Sequence, residues 1–194
     1  MLIDKLKKYN IVLGSASPRR KDLLTELGIA FSIIPTQKEE KYPKNLKEKK
    51  VAEFLAKQKS DTITKDLKKP YLLITADTIV TQNSEIIHKP KDKQEAIDIL
   101  KKLSGNSHKV ITGVCIKSVE KEVVFSSITE VFFTNLSDDE INFYIERYKP
   151  FDKAGSYGIQ EWIGFIGIKK IVGSYNNVIG LPTAELYQKL KLFI

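Results

Sequence analysis

Cysteine and histidine are almost absent from this chain of 194 residues, which holds one cysteine and two histidines. A single cysteine, Cys115, excludes an internal disulfide, and with two histidines no zinc site of the Cys/His type can be assembled. Cys115 stands between Val114 and Ile116 in a strand pattern, so we interpret it as a buried structural thiol and not as a nucleophile. Neither His88 nor His108 has a spacing that fits a Ser-His-Asp triad.

Long apolar runs are missing too. No stretch approaches the roughly 20 apolar residues of a membrane span, and the first residues, MLIDKLKKYN, lack the apolar stretch of a signal peptide. With so little cysteine, we expect a protein of the reducing cytoplasm. The hydrophobic share of 42% is sufficient for a sizeable core, and we expect residues 1–194 to form a single domain.

Acidic residues are outnumbered, 24 against 32 lysines and arginines, which gives a net charge of +8. The excess is lysine, spread along the chain and interrupted by acids, as in KNLKEKK; this is typical of solvated helix faces. The charge alone leaves open both a nucleic-acid-binding protein and a protein that binds small polyanions.

Strand and helix patterns alternate along the chain. Strands are predicted over 11–13, 31–35, 71–80, 85–87, 109–119 and 123–133, with a last strand or hairpin over 163–172. Helices are predicted to begin after Ser17, near Leu46, at Asp92, after Ser137 and at Pro182. Because hairpins neighbour the helical segments, we expect a mixed α/β fold and not a simple parallel winding.

The stretch LGSASPRRKDLL, residues 13–24, carries two of the three arginines in the chain. Here a short strand leads into a helix N-terminus whose unpaired N–H groups and dipole favour an anion. Ser15 and Ser17 add hydroxyl groups, while Arg19 and Arg20 add planar forks that suit phosphate oxygens. The local pattern predicts a phosphate site; the alternative is a capped helix with two exposed arginines.

Asp77 lies inside the apolar strand pattern of ITADTIV, where a carboxylate must be hydrogen-bonded, paired or metal-bound. Glu39 or Glu40, in the loop TQKEEKYP, could join Asp77 in holding a divalent cation against phosphates. The alternative for both glutamates is a solvated loop. If the strand is regular, the side chain of Thr78 points to the face opposite Asp77.

Two further segments are rich in glycine and polar residues: FDKAGSYGIQ, residues 151–160, and GSYNNVIGLP, residues 173–182. The first allows a close approach of the backbone to a ligand. Lys89 directly precedes Pro90, and this rigid position could present its ammonium to a ligand. Lys59 lies near a helix end among many other lysines, so its own segment does not single it out. Trp162 could stack on a base, although packing in the core or at the rim is the ordinary role.

These motifs, SASPRR, ADTIV, HKP, FDKAGSYGIQ and GSYNNVIGLP, occur in this order across nearly the whole chain, and together they resemble the Maf family of nucleoside triphosphate pyrophosphatases. The resemblance implies a mixed, curved β-sheet with flanking helices, in two lobes around a central cleft and akin to the inosine triphosphatases. It implies hydrolysis of non-adenine nucleoside triphosphates to the monophosphate and pyrophosphate, with Mg²⁺ or Mn²⁺.

The resemblance also assigns roles to residues. The essential aspartate, described as the proton acceptor, matches Asp77, and Asp77 with Glu40 would hold the metal. The residues on the phosphate and metal side match Ser15, Arg20, Glu40, Lys59 and Lys89. The positions that set substrate choice match Arg19, Thr78 and Gln160, which look like the subgroup that acts on dTTP and UTP. Modified pyrimidine nucleotides are further expected substrates.

The segment after Gln160 departs from the family pattern. It is usually glycine-rich, whereas here it reads EWIGFIG, so Glu161 and Trp162 could reshape the rim near the base. Four alternatives stay open: a preference for 7-methyl-GTP, a nucleic-acid-binding or cell-division regulatory protein, Glu39 in place of Glu40, and Asp77 as either the proton acceptor or a metal ligand. A homodimer is common in the family, and neither a membrane nor a nucleic-acid partner is expected.

Overall fold

The computed structural model of the chain describes residues 1–36, 41–64 and 67–194. Helices and strands alternate along them, as the sequence pattern predicts. The helices are α1 (Leu2–Leu6), α2 (Pro18–Glu26), α3 (Glu48–Ile63), α4 (Lys93–Leu103), α5 (Asp138–Tyr148), α6 (Trp162–Gly167), α7 (Tyr175–Ile179) and α8 (Thr183–Phe193). The strands are β1 (Asn10–Gly14), β2 (Ser32–Ile33), β3 (Tyr71–Gln82), β4 (Glu85–Ile87), β5 (Ser107–Lys117), β6 (Glu122–Phe133) and β7 (Ile168–Val172).

Within the described residues the strands form one seven-stranded sheet in the order β2-β1-β3-β5-β6-β7, with β4 paired to β3. β1 is parallel to β2 and β3, and the other pairs are antiparallel. The mixed α/β fold predicted from the sequence is therefore confirmed. No helix in this part of the chain combines the length and the apolar character needed to cross a membrane.

Local sequence signals account for several helix starts. Ser17 caps α2 with Pro18 in the first turn, Asp92 caps α4, and Ser137 with Glu140 forms a capping box on α5. Each cap satisfies backbone N–H groups that the first turn of a helix leaves without partners.

Both faces of β3 are buried, which explains its continuous apolar sequence. Leu72, Ile74 and Ala76 face the cluster formed with α2 and α8, whereas Ile79 faces α3. A second large cluster gathers around α4, α5 and α6.

The prediction of a strand or hairpin over 163–172 is wrong for its first half, which forms α6. The Gly164 N–H donates to the Glu161 carbonyl at 2.8 Å. Its α-carbon packs so closely on Ile159 that an added Cβ would overlap the Ile159 backbone. This close local packing, which only a glycine at position 164 allows, accompanies the helical turn, and it leaves no periodic signal in the sequence.

Candidate active site

One edge of β3 is covered by two different strands with a gap between them. On this edge β1 pairs with residues 71–75 and β4 with residues 80–82, while β5 covers the opposite edge from 73 to 81. Within the described residues, positions 76–79 of β3 therefore have no strand partner on this edge. They face an opening beyond the end of β1. A crevice outside the carboxyl end of a parallel strand is a common ligand site in α/β proteins.

A cavity of about 330 Å³ occupies this opening, within the range typical of small-molecule sites. Most of the residues predicted for the site line it: Arg19, Arg20, Lys59, Asp77, Thr78, Lys89 and Gln160. Ser15 lies directly behind Arg20 and bonds to it. Glu40, and Glu39 as its alternative, fall outside the described residues.

The N-terminus of α2 forms one wall. Ser17 accepts a hydrogen bond from the Arg20 backbone N–H at 3.4 Å, and Ser15 accepts one from the Ser17 N–H at 3.2 Å. Ala16, Ser17 and Pro18 line the cavity. The positive end of the helix dipole therefore points at the place where a ligand would lie, which favours a negatively charged group there.

The Arg20 guanidinium is held by three hydrogen bonds. Its Nε donates to the Gly180 carbonyl at 2.8 Å, its Nη1 to Ser15 Oγ at 3.4 Å and its Nη2 to Thr78 Oγ1 at 2.9 Å. The contacts join the end of β1, the middle of β3 and the end of α7. They fix the plane of a permanently charged group at the cavity wall.

Asp77 lies on the face of β3 that α3 covers. On this face Thr75 donates to the Ala56 carbonyl at 2.7 Å, which anchors α3 one turn before Lys59. The Lys59 ammonium then forms a close, hydrogen-bonded ion pair with the Asp77 carboxylate. Asp77 is 3% exposed, and this pairing explains how a carboxylate is tolerated inside an apolar strand.

Thr78 points to the opposite face of β3, as expected for a regular strand. Its Oγ1 lies 2.9 Å from Oγ1 of Thr112, which is directly opposite on β5. Thr112 donates to the Asn177 carbonyl at 3.0 Å, and the Asn177 amide donates to the Val110 carbonyl and to Thr129, each at 3.0 Å. This buried row fastens α7 to the sheet.

A chain of charged groups runs from Arg19 of α2 along the rim of the cavity. Arg19 contacts Asp152 at 3.3 Å, Lys153 contacts Asp152 at 2.8 Å and Lys153 contacts Glu161 at 3.2 Å. Glu161 also accepts a close hydrogen bond from the Tyr144 hydroxyl. Burial acts to raise the pKa of Asp152, but the Lys153 hydrogen bond and the Arg19 charge outweigh it, so this pKa lies below its ordinary value.

The Tyr144 hydroxyl also supports the turn that carries Gln160. It accepts a hydrogen bond from the Gly158 N–H at 2.9 Å, and the turn closes with a bond from the Glu161 N–H to the Gly158 carbonyl at 3.0 Å. Burial and the Glu161 carboxylate raise the pKa of Tyr144, so its hydroxyl stays protonated. Gln160 and Lys89 are exposed side chains at the mouth of the cavity.

The oxygen ligands available for a divalent cation can be compared with what such ions require. Within residues 1–36, 41–64 and 67–194, no cluster of three or more His, Cys, Asp or Glu side chains could hold a metal. Asp77 supplies one carboxylate at the cavity. Mg²⁺ is commonly bound through only one or two carboxylates together with substrate phosphates and water. The site therefore fits an ion that is bound mainly through its substrate.

Other candidates from the sequence lie away from the chemistry. Cys115 is fully buried, and burial raises its pKa to about 11, which confirms a structural thiol. Burial lowers the pKa of His108 to about 4, and its Nε2 lies 2.7 Å from the Tyr157 hydroxyl. Trp162 packs edge-on against Phe143 at 4.8 Å, which is rim packing.

Thr112, Tyr144 and Asn177 support the site and were not predicted for it from the sequence. Asn177 lies in GSYNNVIGLP, a segment whose unusual turn residues indicate a special role without singling out one side chain. Thr112 and Tyr144 resemble ordinary residues of a strand and a helix. Only their hydrogen bonds across the fold distinguish them.

Comparisons with known proteins show which proteins this chain is similar to. A family model described as Maf-like protein matches residues 10–193. A protein of Phocaeicola vulgatus named dTTP/UTP pyrophosphatase is 49% identical over 192 residues, which cover 98% of this chain and 99% of the relative. Proteins with the same name from Flavobacterium johnsoniae and Porphyromonas gingivalis are 44% identical over 100% of both chains and 49% identical over 99% and 98%.

A solved structure from Mycobacterium abscessus, a nucleoside-triphosphatase / dITP/XTP pyrophosphatase, matches with a TM-score of 0.38 and 12% identity. The match covers 64% of this chain and 72% of that one. A similarity this low supports no conclusion about the fold or the function of this chain.

Proposed function

The chain belongs to the Maf-like protein family, and on that premise we propose that it hydrolyses nucleoside triphosphates, dTTP and UTP foremost, to the monophosphate and pyrophosphate. The observation that carries the proposal is the buried Lys59–Asp77 ion pair in the cavity that also receives the α2 N-terminus and Arg20. An acid held in this way beside groups that favour anions suits phosphoanhydride chemistry.

The phosphates would lie against the α2 N-terminus. There the helix dipole, Arg20 and Ser15 would orient the chain of phosphates, and Lys59 and Lys89 would add positive charge from the other side. The charge of the pyrophosphate leaving group develops as the bond between the α and β phosphates breaks. Fixed cations around it stabilise that charge without reorganisation, because their positions are set by the fold.

Asp77 would act on the attacking water. Its carboxylate is held by Lys59 in one orientation and can accept a proton from a water molecule bound between it and the phosphorus.

We further propose a requirement for Mg²⁺ or Mn²⁺, with Asp77 as the ligand from the described residues and Glu40 as a second. When bound, such an ion would neutralise phosphate oxygens and polarise the phosphorus centre. The donor set supports this proposal, because a carboxylate and phosphate oxygens are the ligands that these hard cations prefer.

The base would lie toward Arg19, Thr78 and Gln160. The amide N–H of Gln160 can donate to a carbonyl on the edge of uracil or thymine. Modified pyrimidines that keep this edge would be accepted as well. The single domain over 1–194 and a homodimer stay predictions.

The proposal is tested by measuring pyrophosphate release with Mg²⁺ or Mn²⁺ from dTTP, UTP, CTP, GTP, ATP and 7-methyl-GTP. D77N serves as the matched inactive control. Release from dTTP and UTP above the others supports the proposal, and preference for 7-methyl-GTP would overturn the assignment of the base. No release from any nucleotide, together with salt-dependent binding to DNA, would favour the nucleic-acid-binding alternative.

A further inference from the structure

The hydroxyl of Thr78 belongs to a row of hydrogen bonds that determines where its proton points. Thr78 Oγ1 accepts from Arg20 Nη2 at 2.9 Å and lies 2.9 Å from Thr112 Oγ1. Thr112 is fully buried, and its hydroxyl donates to the Asn177 carbonyl at 3.0 Å. A hydroxyl group has one proton and two acceptor lone pairs, so each of these bonds limits the next.

The hydroxyl proton of Thr112 is used in the hydrogen bond to the Asn177 carbonyl. If it turned toward Thr78, the Thr112 oxygen would lie 3.0 Å from the Asn177 carbonyl oxygen with no proton between them, in a place without access to water. Two buried acceptors facing each other would cost about 1–3 kcal/mol. The Asn177 carbonyl also accepts from the Gly180 N–H at 3.1 Å, which its second lone pair allows. The Thr112 proton therefore stays on this bond.

Thr78 must then be the donor in the bond with Thr112. Its single proton points into the sheet, and one of its lone pairs is taken by Arg20. Within the described part of the chain, what remains for a ligand is the second lone pair, on a side chain that lines the cavity. Thr78 is thus an acceptor only. It would repel a phosphate oxygen and can attract a ligand N–H.

We propose that Thr112 is a positioning residue that makes Thr78 an obligate acceptor, and that the site thereby selects bases with a protonated ring nitrogen. Uracil and thymine carry N3–H, which can donate to Thr78. Cytosine carries an unprotonated N3 at the same place and adenine an unprotonated N1, so each would face Thr78 with a second acceptor. This inference rests on the proposed function and adds a physical reason for rejecting cytosine and adenine.

The pair UTP and CTP is the sharpest test, because the two nucleotides have almost the same size. In T112V the shape is kept and the hydroxyl is lost, so the Thr78 hydroxyl is released to rotate and can donate to cytosine N3. We expect the ratio of kcat/KM for UTP over CTP to fall about tenfold or more, since a site with a fixed hydrogen-bonding group discriminates strongly against the wrong partner. T112S keeps the hydroxyl and should restore the ratio.

T129V is the matched control. Thr129 is as deeply buried and bonds to Ser174 and Asn177 under the same helix, so T129V should lower kcat/KM for both nucleotides without changing their ratio. An equal loss for UTP and CTP in T112V would overturn the inference, because it would show a structural role only. Should T112V not fold, 3-methyl-UTP decides with the wild-type protein: poor hydrolysis supports the inference, and hydrolysis as fast as that of UTP overturns it.

The failure of the proposed function is distinguishable from the failure of this inference. If wild-type protein releases no pyrophosphate from either nucleotide, the proposed function is wrong, and the inference about base selection fails with it. If wild-type protein hydrolyses UTP and the ratio in T112V equals that of wild type, only the inference is wrong.

Discussion

Lys59 and Asp77 form a close ion pair across the interface of α3 and β3, with only 12% and 4% of their side chains exposed. Removing one partner of a buried ion pair typically costs 3–5 kcal/mol. The same contact therefore has two effects. It stabilises α3 on the sheet, and it holds the carboxylate that is proposed for the chemistry.

We predict that K59M lowers the free energy of unfolding by about 3 kcal/mol, and that D77N lowers turnover by about a hundredfold or more while the protein stays folded. The double variant should regain most of the stability and none of the activity, because both members of the buried ion pair are then replaced by neutral side chains. Urea unfolding followed by circular dichroism and a pyrophosphate-release assay measure the two effects.

K57M is the control for this pair, because Lys57 lies on the same helix and pairs with Asp61 and Glu122 while 44% exposed. It should change stability by no more than about 1 kcal/mol and leave kcat unchanged. Stability losses of the K59M and D77N variants that simply add in the double variant would contradict the coupling.

Gly113 determines how closely α3 approaches the sheet. It lies opposite Asp77 in the β3–β5 ladder, and a Cβ atom there would overlap the backbone carbonyl of Ala52 in α3. G113A should therefore push α3 outward, with a loss of about 3 kcal/mol in unfolding free energy and a fall in kcat as Lys59 moves from Asp77.

Gly28 provides the comparison, because its φ of +70° makes G28A strained at a place distant from the cavity lining. That variant should lose about 1 kcal/mol with unchanged kcat. If G113A kept wild-type stability and kcat, the close approach of α3 would not be what positions Lys59.

The elements that the sequence predicts best are those with local signals. The β3 strand shows as one apolar run, and the Ser137–Glu140 box and the Ser17 cap mark helix starts through chemistry within four residues. Most of the predicted residues that line the cavity belong to the ordered motifs. These motifs hold residues of unusual type, such as paired arginines or an acid in a strand.

What could not be predicted depends on contacts between distant segments. Lys59 was assigned only through the family resemblance, because its own segment shows one lysine among many. Thr112 looks like any strand threonine until Thr78 lies opposite. The gap between β1 and β4 on the edge of β3 likewise follows from strand pairing and not from any single segment. The roles that we propose for these residues await the experiments above.

His108 makes stability depend on pH. Burial lowers its folded pKa to about 4 from 6.5, so between these values the unfolded chain binds a proton that the folded protein does not. The contribution of His108 to the free energy of unfolding is fully present above pH 6.5. It is lost, by about 3 kcal/mol, as the pH drops toward 4. H108Q should remove this part of the loss, measured as the difference in unfolding free energy between pH 7 and pH 4.5.

The exposed His88 gives the matched variant. H88Q should keep the wild-type dependence of unfolding free energy on pH, because an exposed side chain loses little water on folding. A wild-type profile in H108Q would show that the acid sensitivity comes from carboxylates instead.

Glu161 joins Lys153 to Tyr144 beneath the turn that carries Gln160. The fit is close, because a Cβ atom on Gly158 would lie 2.7 Å from the Glu161 carboxyl carbon. In E161A the ammonium of Lys153, 10% exposed, loses one partner, and the turn loses its support. We expect a loss of about 2 kcal/mol in stability and a rise in KM for UTP larger than the fall in kcat, measured by urea unfolding and steady-state kinetics.

The contrast with E146A separates support of this turn from a general loss of charge. Glu146 forms an exposed ion pair with Lys93, 66% and 51% exposed, so E146A should change stability by less than about 1 kcal/mol and leave KM as it is. E161Q keeps the shape and a hydrogen-bond acceptor for Tyr144, and its KM should lie between those of wild type and E161A. Equal KM values in E161A and E146A would mean that the segment EWIGFIG holds the rim without Glu161, and that Gln160 is positioned by the Gly158–Glu161 backbone bond alone.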